Sequence, residues 1–245
     1  MNNVNLLSAL DAREAIEEGS ISSVELLEAC FERIDEVEDS IGAWACLDRE
    51  TALEQARQAD DSRRRGLPLG ALHGLPVGIK DIIDTSDFPT ECGSVIYQGR
   101  TPSTDATLVS LLREAGAIIL GKTVTTELAV CSPGRTRNPH NPDHTPGGSS
   151  SGSAAAVAAG MVALSVGTQT NGSVIRPASY CGVYGFKPSF ARISRTGVMM
   201  QSKPLDTVGV FARSLADLAL ISDVLMRYDS QDIDMKPVAP PCIAR

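Results

Sequence analysis

Pro146-Gly-Gly-Ser-Ser-Ser-Gly-Ser153 runs straight into Ala154-Ala-Ala-Val-Ala-Ala-Gly-Met161 and then Val162-Ala-Leu-Ser-Val166. From His144 to Ile175 the chain carries no Asp, Glu, Lys or Arg. Glycine and serine alone would suit a flexible linker. A linker does not feed directly into an apolar stretch. The spacing predicts a small-residue helix over 154–161 and a strand over 162–166, both buried. A spanning helix needs about 20 strongly apolar residues, and this centre is short and mostly Ala and Gly. We therefore expect no membrane span.

Outward from this stretch, strands and helices alternate. Leu75 to Lys80 is a short apolar run ending at a lysine, predicted as a buried strand. Thr107 to Ala115 has helical spacing, and Ala117 to Leu120 is predicted as a strand. Ser214-Leu-Ala-Asp217 opens a helix with Leu215, Leu218, Ile221 and Leu225 along one side. Toward the N-terminus, Ser22-Ser-Val-Glu25 has the form of a capping box. Val24, Leu27, Phe31 and Ile34 follow at helical spacing. Thr51 to Ala59 is predicted as a polar helix, with Arg63-Arg-Arg-Gly-Leu-Pro68 a solvated loop after it. This order predicts an α/β sheet. We expect one domain over 1–245: a helical segment over about 1–65, a core over about 70–226 and an irregular, Pro-rich tail over 227–245.

Composition narrows the partners. The chain has 245 residues, net charge −8 and 4% aromatic residues. Neither a basic nucleic-acid surface nor a base-stacking platform is expected. The N-terminus lacks a basic region before an apolar run, so no secretory signal is seen and a cytoplasmic location is expected. Cys30, Cys46, Cys92, Cys131, Cys181 and Cys242 contain no C-x-x-C pair. We expect buried free thiols, no metal and no cofactor. His140 and His144 sit between prolines and are expected in a loop.

Gly116-Ala-Ile-Ile-Leu-Gly-Lys-Thr123 matches the phosphate-loop pattern G-x-x-x-x-G-K-[ST]. Its four central residues are those of the predicted strand. No loop remains to wrap a phosphate, and the match is set aside.

Gly167-Thr-Gln-Thr-Asn-Gly-Ser-Val-Ile-Arg-Pro177 follows the 162–166 strand as a polar turn. Such a turn can line up backbone N–H groups around Ser173 as an oxyanion hole. A serine nucleophile needs a base. Lys80, at the end of an apolar run, is the best candidate, because burial favours its neutral amine. Taken alone, Lys80 reads better as a snorkelling lysine or one salt-bridged beside Asp81.

Together, Gly78-Ile-Lys-Asp81, Gly147-Gly-Ser-Ser-Ser-Gly152 and Thr170-Asn-Gly-Ser-Val-Ile-Arg-Pro177 resemble the amidase signature family. Ile119 to Ala129 and Tyr180 to Ser189 are similar to it too. The resemblance covers nearly the whole chain, up to Met226, and implies an α/β fold with a mixed sheet flanked by helices. It implies a Ser–cis-Ser–Lys triad with Ser173 as nucleophile, Ser149 as bridging serine and Lys80 as base, and a cis bond between Gly148 and Ser149. It places the oxyanion hole on the N–H groups of Thr170, Asn171, Gly172 and Ser173. Thr168 is implied as support for Ser149. Ser150 and Ser151 are expected to cap the following helix, and Asp81 and Asp84 to hold a turn. Asn171 stands where the family usually has Gly; Asn is the mildest replacement if φ is positive there. Gln169 stands where Asp is commoner and, with Val174-Ile-Arg176, is similar to the malonamidase-like branch. There Arg176 would bind a substrate carboxylate; its alternative is an internal pairing that orders the loop. The implied activity is hydrolysis of a small-molecule carboxylic amide through an acyl-enzyme. The alternatives are the glutamine-hydrolysing component of a tRNA-dependent amidotransferase and a non-catalytic scaffold. Family members are commonly longer. The resemblance thus implies that their C-terminal portion is lacking, with the truncated side left exposed, covered by a second copy or a partner subunit, or repacked.

Overall fold

The computed structural model describes residues 4–238. Three helices come first: α1 (Ala9–Glu18), α2 (Ser23–Ile41) and α3 (Arg49–Arg64). Each begins where a side chain accepts an otherwise unpaired N–H: Ser8 from Asp11, Ser22 from Glu25, and Asp48 from Thr51. The capping box at Ser22 and Glu25 forms in both directions. α3 starts earlier than the sequence suggests and extends through Arg63 and Arg64. Those arginines are not a loop; they lie in the helix's last turn, where the dipole favours cations. The N-terminal segment is also not wholly helical, because β1 (Trp44–Leu47) falls inside it.

The other strands are β2 (Pro76–Lys80), β3 (Ile118–Thr123), β4 (Leu164–Gln169), β5 (Tyr184–Phe186) and β6 (Thr207–Ala212). They form one six-stranded sheet in the order β1-β3-β2-β4-β6-β5. β2 pairs in parallel with β3 and β4, whereas β1/β3, β4/β6 and β5/β6 are antiparallel. This is the mixed α/β sheet expected. The helices α4 (Thr107–Glu114), α5 (Ser151–Ala158), α6 (Ile175–Cys181) and α7 (Leu215–Leu225) complete the fold.

Alternation along the strands divides the core in two. Val77, Ile79, Ile119 and Val166 pack with residues of α1, α4 and α7. Ile118, Leu120 and Phe211 pack with α5 and with Leu27, Phe31 and Ile34 of α2. Helix α5 starts three residues before the expected Ala154, taking the Gly/Ser segment as its first turn. The reason is tertiary. A Cβ on Gly152 would lie 2.2 Å from the carbonyl oxygen of Ala43. Ser151 Oγ donates to the Val124 carbonyl at 3.2 Å, and Ser153 Oγ to that of Val166 at 3.0 Å. Small side chains and spare hydroxyls let α5 lie directly on the sheet.

Residues 118–123 of the phosphate-loop match are β3, and Lys122 is fully buried. Its Nζ donates to Thr90 Oγ1 at 2.6 Å and to the Ile83 carbonyl at 2.7 Å. Cys30, Cys92 and Cys181 are buried free thiols as expected; Cys131 is exposed and Cys46 half-buried. Cys131 lies just after a short helical turn on a surface loop, which corrects the expectation for it. Cys242 lies outside the described residues. No helix among the described residues is long and apolar enough to cross a membrane. The tail from 227 to 238 forms neither helix nor strand. It is nonetheless docked: Asp232 and Asp234 pair with Arg195 at 2.9 and 2.6 Å. Residues 239–245 of the expected tail lie outside the described residues.

Candidate active site

The ends of the parallel strands β2 and β4 bring Lys80 and Thr168 side by side. Lys80 has no exposed surface. Its Nζ lies 2.7 Å from Ser149 Oγ and 2.9 Å from Thr168 Oγ1. Burial pushes the Lys80 amine down from 10.5 to about 7, opposed by the field of Asp206. Thr168 thus contacts the lysine, not Ser149 as implied. Asp81, the alternative partner, is turned away. Its carboxylate accepts N–H bonds from Glu91 at 3.1 Å and Gly93 at 3.3 Å, and lies 3.8 Å from Lys122 Nζ. Asp84 pairs with Arg100 at 2.7 Å. Asp81 holds a turn, as expected, whereas Asp84 ties its loop to Arg100.

The peptide bond between Gly148 and Ser149 is cis. Arg176 donates to the Gly148 carbonyl from Nε at 3.0 Å and from Nη2 at 2.8 Å. Of the two readings for Arg176, the fold adopts the internal pairing. On the other side of the bond, the Ser149 carbonyl accepts the N–H of Thr126 at 3.1 Å. Ser150 stands at the N-cap position of α5 but makes no capping bond. Its Oγ donates to the Thr168 carbonyl at 3.1 Å and accepts the Thr168 N–H at 3.2 Å. The expected cap is therefore a tie between α5 and β4. Ser151 also spends its hydroxyl on the sheet and caps nothing.

Ser173 lies on the turn between β4 and α6 and is 5% exposed. Its carbonyl accepts the N–H of Ser150 at 3.4 Å, which sets the turn beside Ser149. Among the described residues, Ser173 Oγ makes no hydrogen bond, and the N–H groups of Thr170, Asn171, Gly172 and Ser173 have no acceptor. The positive φ of the turn falls on Gly172, at 129°, and not on Asn171. Asn171 therefore needs no left-handed conformation, and its side chain is exposed.

Three residues were not singled out for this arrangement. Gln169 Oε1 accepts the N–H groups of Val174 at 2.9 Å and Ile175 at 3.0 Å, holding the start of α6. Asp206 and Gln201 brace Thr170 from the adjoining strand and loop. The Gln169 departure was legible in the sequence; Asp206 and Gln201 lie in a stretch with no chemical pattern. Gln169→Leu is expected to cost about 1–2 kcal/mol of stability, as does loss of a helix cap. Urea unfolding measures it, and an unchanged midpoint would refute it.

A family model described as Amidase matches residues 25–244. The glutamyl-tRNA(Gln) amidotransferase A-subunit of Natranaerobius thermophilus is 42% identical over 232 residues, covering 92% of this chain and 47% of that protein. Its counterpart in Chloroflexus aggregans is 42% identical over 247 residues, covering 98% of this chain and 51% of that one. The crystal structure of a peptide amidase from Stenotrophomonas maltophilia superposes with a TM-score of 0.91 at 35% identity, covering 98% of this chain and 52% of that one. The chain thus spans about half the length of the curated relatives it matches. With the match running across both the lysine strand and the serine turns, the chain belongs to the amidase family.

Proposed function

We propose that this chain hydrolyses a carboxylic amide with Ser173 as nucleophile, Ser149 as proton bridge and Lys80 as base. The observation that carries this reading is the fully buried Lys80 amine at 2.7 Å from Ser149 Oγ. With the amine neutral, Ser149 donates its proton to Nζ and takes the proton of Ser173. Ser173 Oγ then bonds to the amide carbon. The oxyanion is received by the free N–H groups of the 170–173 turn, where one donor is worth about 2.7–4 kcal/mol. Collapse breaks the C–N bond, and the relay returns its proton to the departing ammonia or amine. Water attacks the acyl-enzyme by the same relay in reverse. Arg176 and Gln169 hold the two turns in place.

The substrate class is a small-molecule amide, with no metal or cofactor in the steps and a cytoplasmic setting. The experiment is labelling with a fluorophosphonate followed by peptide mass spectrometry. A single adduct on Ser173 is expected; folded protein that stays unlabelled would favour the scaffold reading instead.

A second reading is favoured by the amidotransferase relatives at 42% identity. In it the same site releases ammonia from glutamine inside a complex. Glutaminase activity that appears only with copurifying partner proteins would select this reading, and hydrolysis of simple amides by the isolated chain would select the first.

A further inference from the structure

We propose that Asp206 is a positioning residue for this reaction: its carboxylate locks the turn that carries Ser173 and sets a negative charge toward Lys80. The inference rests on the roles proposed for Ser173, Ser149 and Lys80.

Asp206 is 8% exposed, at the entry to β6. Its Oδ1 accepts the Thr170 hydroxyl at 2.5 Å. Its Oδ2 accepts the N–H of Gln201 at 2.6 Å and of Ser202 at 2.8 Å. Gln201 extends the lock in two directions. Its Oε1 lies 3.0 Å from Thr170 Oγ1, and its Nε2 donates to the Leu128 carbonyl at 2.6 Å. Leu128 and Ala129 both have positive φ, in the turn that begins at Thr126. Thr126 is the residue whose N–H holds the Ser149 carbonyl. At the near end of the loop, the N–H of Met199 donates to the carbonyl of Ile82, two residues beyond Lys80, at 2.9 Å. One carboxylate therefore organises a loop that bonds to Ile82 just past the lysine strand, to Leu128 in the turn that holds the Ser149 carbonyl, and to Thr170 in the nucleophile turn.

The charge has its own role. Among the described residues, Lys80 Nζ faces only hydroxyls at bonding distance, those of Ser149 and Thr168. Of the other charged groups nearby, Asp81 faces Lys122, and Arg195 is held by Asp232 and Asp234. Asp206 is left as the carboxylate whose field supports the lysine's protonated form. That form must exist transiently, once the proton of Ser173 has been relayed.

The test measures the second-order rate of fluorophosphonate labelling from pH 5.5 to 9 for wild type, Asp206→Asn, Thr170→Val and Ser173→Ala. Asp206→Asn keeps the shape and removes the charge. We expect its plateau rate to fall about 10- to 100-fold and its midpoint to move to lower pH by about half a unit or more. Thr170→Val removes the hydroxyl's contacts with Asp206 and Gln201 and keeps the charge, so its plateau falls with the midpoint unmoved. Asp206→Asn with the wild-type plateau and midpoint would overturn the inference while leaving the triad reading intact. If Asp206→Asn does not fold, an unchanged plateau in Thr170→Val overturns it. Labelling of Ser173→Ala at the wild-type rate would instead sink the triad reading itself, and this inference with it.

Discussion

Ser173→Ala is expected to lower amide turnover by on the order of 10^4- to 10^6-fold, the size of effect found when a serine nucleophile is removed from a unit of interdependent groups. The residue holds few contacts that the fold depends on. Its carbonyl bond to Ser150 is unaffected by the substitution, and its Oγ bonds to nothing among the described residues. The unfolding free energy should therefore stay within about 0.5 kcal/mol of wild type, as for substitutions that break no packing or buried bond. Turnover retained within tenfold in a chain that no longer takes a fluorophosphonate would show that the chemistry runs elsewhere.

Lys80→Met is the second large effect, and it separates activity from stability. Loss of the base should lower turnover by about 10^3- to 10^4-fold. Wild-type activity should rise with pH through about 7, because the base works only when Lys80 has lost its proton. Stability carries the same signature. Between pH 7 and 10.5 the unfolded lysine binds a proton that the folded one does not. By linkage, this group makes the protein more stable as pH rises through that window, and its penalty is fully present below it. The buried ammonium costs on the order of a few kcal/mol there. Met fills similar space without that charge but gives up the bonds to Ser149 and Thr168. The stability of Lys80→Met relative to wild type should therefore decline as pH rises from 7 to 10. Denaturant unfolding across that range measures it. A constant difference would mean that Lys80 is not neutralised by burial, and the base assignment would lose its physical support.

Much of the architecture was legible because it rests on local rules. The capping box at Ser22, the stripe from Val24 to Ile34, and the start of α7 at Ser214 depend on neighbours within a few positions. The charge-free stretch marked the buried centre, since burying an unpaired charge is costly. The phosphate-loop match could be set aside for the same kind of reason: its middle was plainly a strand. What escaped were elements defined by partners far away. β1 and β5 are short, and only pairing with β3 and β6 makes them strands. The first turn of α5 looked like loop because its glycine and serines answer to Ala43, Val124 and Val166.

The site divides in the same way. By themselves, the residues pointed to a serine turn and a lysine at a strand end, and their joint resemblance put forward Lys80, Ser149 and Ser173 as candidates. The partners of each side chain were decided by the tertiary structure. It turned Thr168 to the lysine, Arg176 to the Gly148 carbonyl, and Asp81 away toward Lys122. It also moved the left-handed conformation from Asn171 to Gly172 and brought Asp206 to Thr170. Residue type and spacing say which chemistry a chain can perform. Hydrogen bonds and desolvation act over a few ångströms, between residues that the sequence keeps dozens of positions apart, so only the folded sheet could say which groups would meet.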